Sequence, residues 1–265
     1  MSTLVTMGCS FIQGVGIWYE DIEPINHDNW NHHINTYVNK HHEVQLDGCI
    51  GSHLQKELGY ANLCNFGVSG TSISNQLRLW YENPPKIADD VLFLLFVTYP
   101  TRVGNYLNGS VGDVNLEDSF LTNYPYYSND NEGRKIEYTK LDLDLETIFY
   151  IKIIKDYCES RGWKFEYSLI DSYYESIYLN ELGTPFPNPF IDDNLKVLED
   201  SHKCKLSPHP NKHGYELLSN KLIDWIRDNK SDWYKNEIIS KSYSPWISHQ
   251  YNLDGTKIKK LKIRF

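Results

Sequence analysis

Residues 4–14, LVTMGCSFIQG, run apolar side chains into Gly8, a lone Ser10 and then Gly14. An apolar run that stops at small residues is how a buried parallel strand hands over to a helix. Ligands of open α/β sheets gather outside such strand ends, so a hydroxyl presented there suits a nucleophile. Serine is also among the best helix N-caps, so Ser10 has a purely structural reading as well.

Working outward, ANLCNF (61–66), VLFLLFVT (91–98) and KFEYSLID (164–171) read as further strands. The second of these is apolar on both faces, as a central parallel strand must be. Helices fit GSHLQKELG, with Ser52 as cap and Gly59 as stop, and SISNQLRLWYE, which ends at Pro84 and Pro85. DLETIFYIKIIKDYCESRG and NKHGYELLSNKLIDWIRDN complete the set, the latter placing Leu218, Leu222 and Ile226 at helical spacing. Strand and helix alternate, which predicts an α/β chain with a three-layer, doubly wound parallel sheet. Residues 18–50 and 103–140 lack a clear period and read as two insertions, and 171–208 reads as irregular. The expected domain spans 1–230, with 231–265 as a C-terminal extension.

The 265 residues are 40% hydrophobic and 23% charged, ordinary for a soluble globular domain. A net charge of −9 argues against nucleic acid as the main partner, because phosphate binding leaves a basic footprint. No apolar run approaches the ~20 residues of a membrane span, and STLVTMG reads as a strand rather than a leader. The five cysteines are widely spaced without a CxxC pair, so neither a disulfide scaffold nor a zinc site is expected, and a cytoplasmic setting is. His27, His32, His33, His41, His42 and His53 match no metal-binding spacing, so neither metal nor cofactor is expected.

Four blocks fall at strand ends or a helix start: Gly8-Cys9-Ser10, Asn65-Phe66-Gly67-Val68-Ser69-Gly70, Val97-Thr98-Tyr99-Pro100-Thr101-Arg102, and His209-Pro210-Asn211-Lys212-His213-Gly214-Tyr215. In order and spacing they resemble the SGNH, or GDSL-like, hydrolases over roughly residues 3–229. The resemblance implies a flavodoxin-like fold, Ser10 as nucleophile and His209 as base. It also implies an oxyanion hole from the N–H groups of Ser10 and Gly67. Tyr99 stands where the family carries the oxyanion Asn, leaving Thr98, Tyr99, Thr101 or Arg102 as replacement donors. Leu206 stands where the family carries its acid, so Ser207 or Asp200 is expected to orient His209. Asn65 and Arg102 complete the set on the substrate side, Asn65 also being suited to tying the glycine turn and Arg102 to a plain ion pair.

The chemistry so implied is ester cleavage, with O-acetyl or other acyl groups on carbohydrate as the substrate class. Two alternatives stay open: a non-catalytic carbohydrate- or protein-binding module on the same fold, part of a viral or other assembly, and an acyltransferase. The tail TKIKKLKIRF (256–265) alternates apolar and basic residues, as an edge strand with a solvated basic face or a docking segment for a protein partner.

Overall fold

The computed structural model describes residues 1–17, 47–68, 72–82, 90–100, 102–105, 112–115, 126–129, 135–138, 140–170, 175–190, 192, 198–204, 209–239 and 241–243. Its strands are β1 (Ser2–Gly8), β2 (Asn62–Gly67), β3 (Asp90–Val97), β4 (Arg102–Asn105), β5 (Gly112–Asn115), β6 (Tyr126–Asn129), β7 (Lys135–Tyr138), β8 (Lys164–Leu169) and β9 (Lys241–Tyr243). Its helices are α1 (Ser10–Gln13), α2 (Ile50–Leu58), α3 (Ile73–Glu82), α4 (Lys140–Ser160), α5 (Glu175–Leu182) and α6 (Lys212–Asn229).

Five strands form one parallel sheet in the order β8-β3-β1-β2-β9. Alternation along the strands divides the core. Leu4, Leu63, Leu92, Leu94 and Phe96 face α2 and α6, which meet them with Leu54, Leu58, Leu218, Leu222 and Ile226. Val5, Met7, Phe66, Phe93 and Leu95 face the other way, against Ile73 and Trp80 of α3, Ile148, Ile151 and Ile154 of α4, and Tyr178 of α5. Helices therefore cover both faces, and the three-layer doubly wound α/β architecture is the one expected.

The order of strands fixes where a ligand can go. From β1 the chain crosses to β2 on one side, and from β3 it crosses to β8 on the other. The connections part between β1 and β3, which opens a crevice at the carboxyl ends of those strands. Ser10 follows directly from β1 at that point.

Several expectations change. The stretch read as a periodless insertion contains two antiparallel ribbons, β4 with β5 and β6 with β7. The stretch read as irregular contains α5. The domain also continues past residue 230: Lys235 N–H donates to the Leu58 carbonyl, Glu237 N–H to the Gly59 carbonyl, and β9 extends the sheet beside β2. Ser52 is not the cap of α2. Cys49 holds that place, while the Ser52 hydroxyl donates to the Asp47 and Cys49 carbonyls. Gly59 does stop α2, in the left-handed conformation at φ 71°. Residues 18–46 and the tail 244–265 lie outside the described residues. No helix among the described residues is long and apolar enough to cross a membrane.

Candidate active site

Ser10 owes its position to a one-residue handover. β1 ends at Gly8, extended Cys9 caps α1, and Ser10 is the first helical residue, with Gly14 closing the turn at φ 88°. The capping place belongs to Cys9, so Ser10 does not carry that structural duty. Its N–H opens the first turn and has no intrahelical acceptor there. Gly8 is small because α1 doubles back on the sheet: a Cβ on it would lie 2.5 Å from Ile12 Cγ1 and 3.1 Å from Phe96 Cβ. Gly67, beside Gly8 in register, is small for the same reason, since its Cβ would stand 2.2 Å from the Gln13 backbone nitrogen.

Asn65 locks this contact. Its Nδ2 donates to the Ile12 carbonyl at 2.9 Å and to Cys49 Sγ at 3.2 Å, and its Oδ1 accepts the Gly67 N–H at 2.8 Å. This bears on two site expectations. Asn65, 1% exposed, ties α1 to β2 with both ends of its amide engaged in that tie. The Gly67 N–H is spent on Asn65 and is not available to an oxyanion.

His209 is held from the other side. Lys203 and Pro210 form an antiparallel bridge, flanked by Cys204 N–H donating to the His209 carbonyl at 2.8 Å and Asn211 N–H donating to the His202 carbonyl at 2.9 Å. Asn211 caps α6 by accepting the Gly214 N–H at 2.9 Å, while its Nδ2 donates to the Ser201 carbonyl at 2.9 Å. Gly214 must be glycine because a Cβ would meet the His202 carbonyl oxygen at 2.2 Å. This accounts for every fixed residue of the His-Pro-Asn-x-x-Gly-Tyr block. Tyr215 completes it by donating to the Val15 carbonyl at 3.0 Å, and a Cβ on Gly16 would touch the Pro210 carbonyl oxygen at 2.4 Å. The start of α6 is thus seated on the turn after α1.

The two halves meet with His209 Nε2 and Ser10 Oγ 2.6 Å apart. Ser10 is 5% exposed and His209 is half-buried, leaving the imidazole as the more open of the two. The imidazole also packs on Phe11, with ring centroids 4.7 Å apart at 42°, and Phe11 packs on Phe190 at 4.7 Å and 39°. Below them, burial pushes the Cys49 thiol and the Tyr215 hydroxyl up, so both stay neutral. A serine hydroxyl in short contact with a fixed imidazole is the arrangement in which the ring accepts the hydroxyl proton as oxygen attacks.

The remaining expectations fall as follows. Asp200 does not orient His209: its side chain is fully exposed and holds Lys203 at 3.0 Å on the outside of the turn. Leu206 and Ser207 lie outside the described residues, as do Ser69, Gly70 and Thr101. Thr98 is buried and Tyr99 half-buried, directly after β3 on the edge that carries Ser10. Arg102 begins β4. Of the six histidines weighed as metal ligands, His53 lies on α2, and His27, His32, His33, His41 and His42 lie outside the described residues. Sequence reasoning missed Phe11 and Phe190. Phe11 was visible only as the residue after the serine, and nothing in the chain announces that Phe190 folds back beside it.

No protein-family model matches the chain, and no curated protein matches it. Among solved structures, it is similar to a carbohydrate esterase whose active site displays divergent catalytic and non-catalytic binding functions. That likeness covers 87% of this chain and 70% of the other at 16% identity, with a TM-score of 0.47. At that level it carries no argument about chemistry.

Proposed function

We propose that this chain is a serine hydrolase of the SGNH kind that cleaves an ester, with O-acetyl or other acyl groups on carbohydrate as substrate. The observation that carries the reading is the 2.6 Å contact between Ser10 Oγ and His209 Nε2 at the carboxyl end of the central strand. The substrate class comes from the family resemblance.

In this mechanism His209 carries its proton on Nδ1 and leaves Nε2 bare. Ser10 Oγ attacks the ester carbonyl carbon as Nε2 takes the hydroxyl proton. The Ser10 N–H supports the oxyanion that forms. Each such donor is worth about 2.7–4 kcal/mol where it has been removed from other enzymes. Collapse of the intermediate expels the alcohol, which takes the proton from His209. Water, deprotonated by His209 in its turn, attacks the acyl carbon, and the acid leaves as Ser10 Oγ takes that proton back from His209.

The test is hydrolysis of small acyl esters by Ser10→Ala and His209→Ala. Each is expected to lose nearly all turnover while keeping the wild-type melting curve, and full activity in both sinks the mechanism. One observation favours a second reading, a binding module on the same fold: the occupied Gly67 N–H weakens the oxyanion site. A fluorophosphonate separates the two, because only an activated Ser10 forms the adduct.

A further inference from the structure

Resting on the reading of Ser10 and His209 as nucleophile and base, we propose that Phe11 is a positioning residue. Its ring holds the His209 imidazole in line with Ser10 and stabilises the charge that the imidazole takes up during reaction.

The geometry ties three things to one helical turn. Ser10 and Phe11 are the first two residues of α1, so whatever fixes the nucleophile fixes the ring beside it. That turn is clamped from below by the Asn65 bond to the Ile12 carbonyl and by the backbone approach to Gly67. The imidazole lies on Phe11 with 4.7 Å between centroids. Phe11 is in turn backed by buried Phe190, whose N–H donates to Asn188 Oδ1 at 2.9 Å and whose ring reaches Tyr215 at 6.1 Å. A row of rings therefore runs from the imidazole through Phe11 and Phe190 to α6, and it limits the tilt of His209.

The same ring has an electrostatic use. A delocalised cation within about 6 Å of an aromatic centroid is attracted to the electron-rich face, by about 0.5–2 kcal/mol. That corresponds to a factor of roughly 2–30 at 1.36 kcal/mol per tenfold. His209 becomes such a cation when it takes the Ser10 proton. Among the described residues, the titratable and charged groups on the elements packed around it include the Cys9 thiol beside Ser10, Cys204, Tyr215, Glu199 and His202 with the exposed Asp200–Lys203 pair on the preceding turn, and Lys212, His213 and Glu216 at the start of α6. With Leu206 in the place the family gives its acid, the aromatic platform is a device on this turn that acts on the ring directly.

The experiment follows the His209 ring by NMR across pH in the full chain. In Phe11→Leu its protonation midpoint should fall by about 0.4–1.5 pH units, and Phe11→Trp should restore it. On an ester substrate, kcat of Phe11→Leu should drop roughly 2–30-fold with KM unchanged. An unchanged His209 midpoint overturns the inference. A rise in KM with wild-type kcat overturns it too, by making Phe11 a wall of the acyl pocket. Should Phe11→Leu not fold, pentafluorophenylalanine at position 11 keeps the shape and reverses the ring's quadrupole, and it must lower the midpoint for the proposal to stand. The midpoint is readable in a protein that hydrolyses nothing, so a wild-type chain that fluorophosphonate does not label refutes the hydrolase reading separately.

Discussion

Replacing Asn65 by alanine tests whether the second glycine block is a substrate contact or a structural clamp. The side chain is 1% exposed and spends its amide on three partners: the Ile12 carbonyl, Cys49 Sγ and the Gly67 N–H. Truncation leaves the Ile12 carbonyl and the Gly67 N–H buried without those bonds. Each such orphan costs about 1–3 kcal/mol, while the sulfur is a weak acceptor and adds little. The sum is about 2–6 kcal/mol, less whatever a water entering the vacated space returns. At ~2–4 °C per kcal/mol for a chain of this size, that is a fall in melting temperature of about 4–24 °C before any such return. Urea titration should show a lower midpoint at unchanged slope, since the surface exposed on unfolding is the same. Because α1 carries Ser10, loosening the clamp should lower kcat with little change in KM. A wild-type urea midpoint together with a raised KM refutes this reasoning and returns Asn65 to the substrate side.

Gly214→Ala should lower stability by about 1–3 kcal/mol, because its Cβ would meet the His202 carbonyl oxygen at 2.2 Å and push the 199–204 turn off α6. Denaturant melts read the loss, and a variant as stable as wild type would show that this contact is not tight. His53 supplies a pH dependence. Burial holds its imidazole below the usual histidine range, so the unfolded chain takes up that proton first. Stability from this group is therefore full above the unfolded value, about pH 6.5, and is lost as pH falls below it. The fall in melting temperature between about pH 7.5 and about pH 5.5 should be smaller in His53→Gln, and an unchanged slope would count against it.

Strand periodicity carried the fold well because the sheet is parallel and covered on both faces. Runs such as VLFLLFVT are what a strand buried on both faces requires, and β1, β2, β3 and β8 lie where such runs predict. α5 was hidden because its eight residues have too little amphipathic contrast to stand out from the surrounding loops. β9 was hidden because three residues carry no period. At the site, Ser10 and His209 were singled out by the resemblance of their blocks to a known hydrolase family, and the structure brings the two side chains within 2.6 Å. The error over Gly67 had a physical source: a strand-end glycine reads alike whether it frees its N–H or makes room. The Gln13 nitrogen, 2.2 Å from where a Cβ would stand, says that it makes room, and that contact joins residues too far apart in sequence for any spacing rule.

The same close approaches explain how a serine hydroxyl and an imidazole separated by 199 positions come within 2.6 Å. α1 cannot rise from the sheet, because Gly67 and Asn65 hold its backbone against β2. The His209 loop cannot turn away, because the Pro210 carbonyl rests on Gly16 and the Tyr215 hydroxyl is bound to the Val15 carbonyl. Both constraints act on backbone rather than on the imidazole itself. They set where His209 starts but not how its ring tilts, and tilt is what an acid partner ordinarily suppresses. Asp200, the nearest acid before His209 in the sequence, faces solvent. Packing against Phe11 bears on the ring's tilt directly. Phe11 sits on the same turn as Ser10, so the hydroxyl that meets His209 and the ring that packs on it are carried by one element.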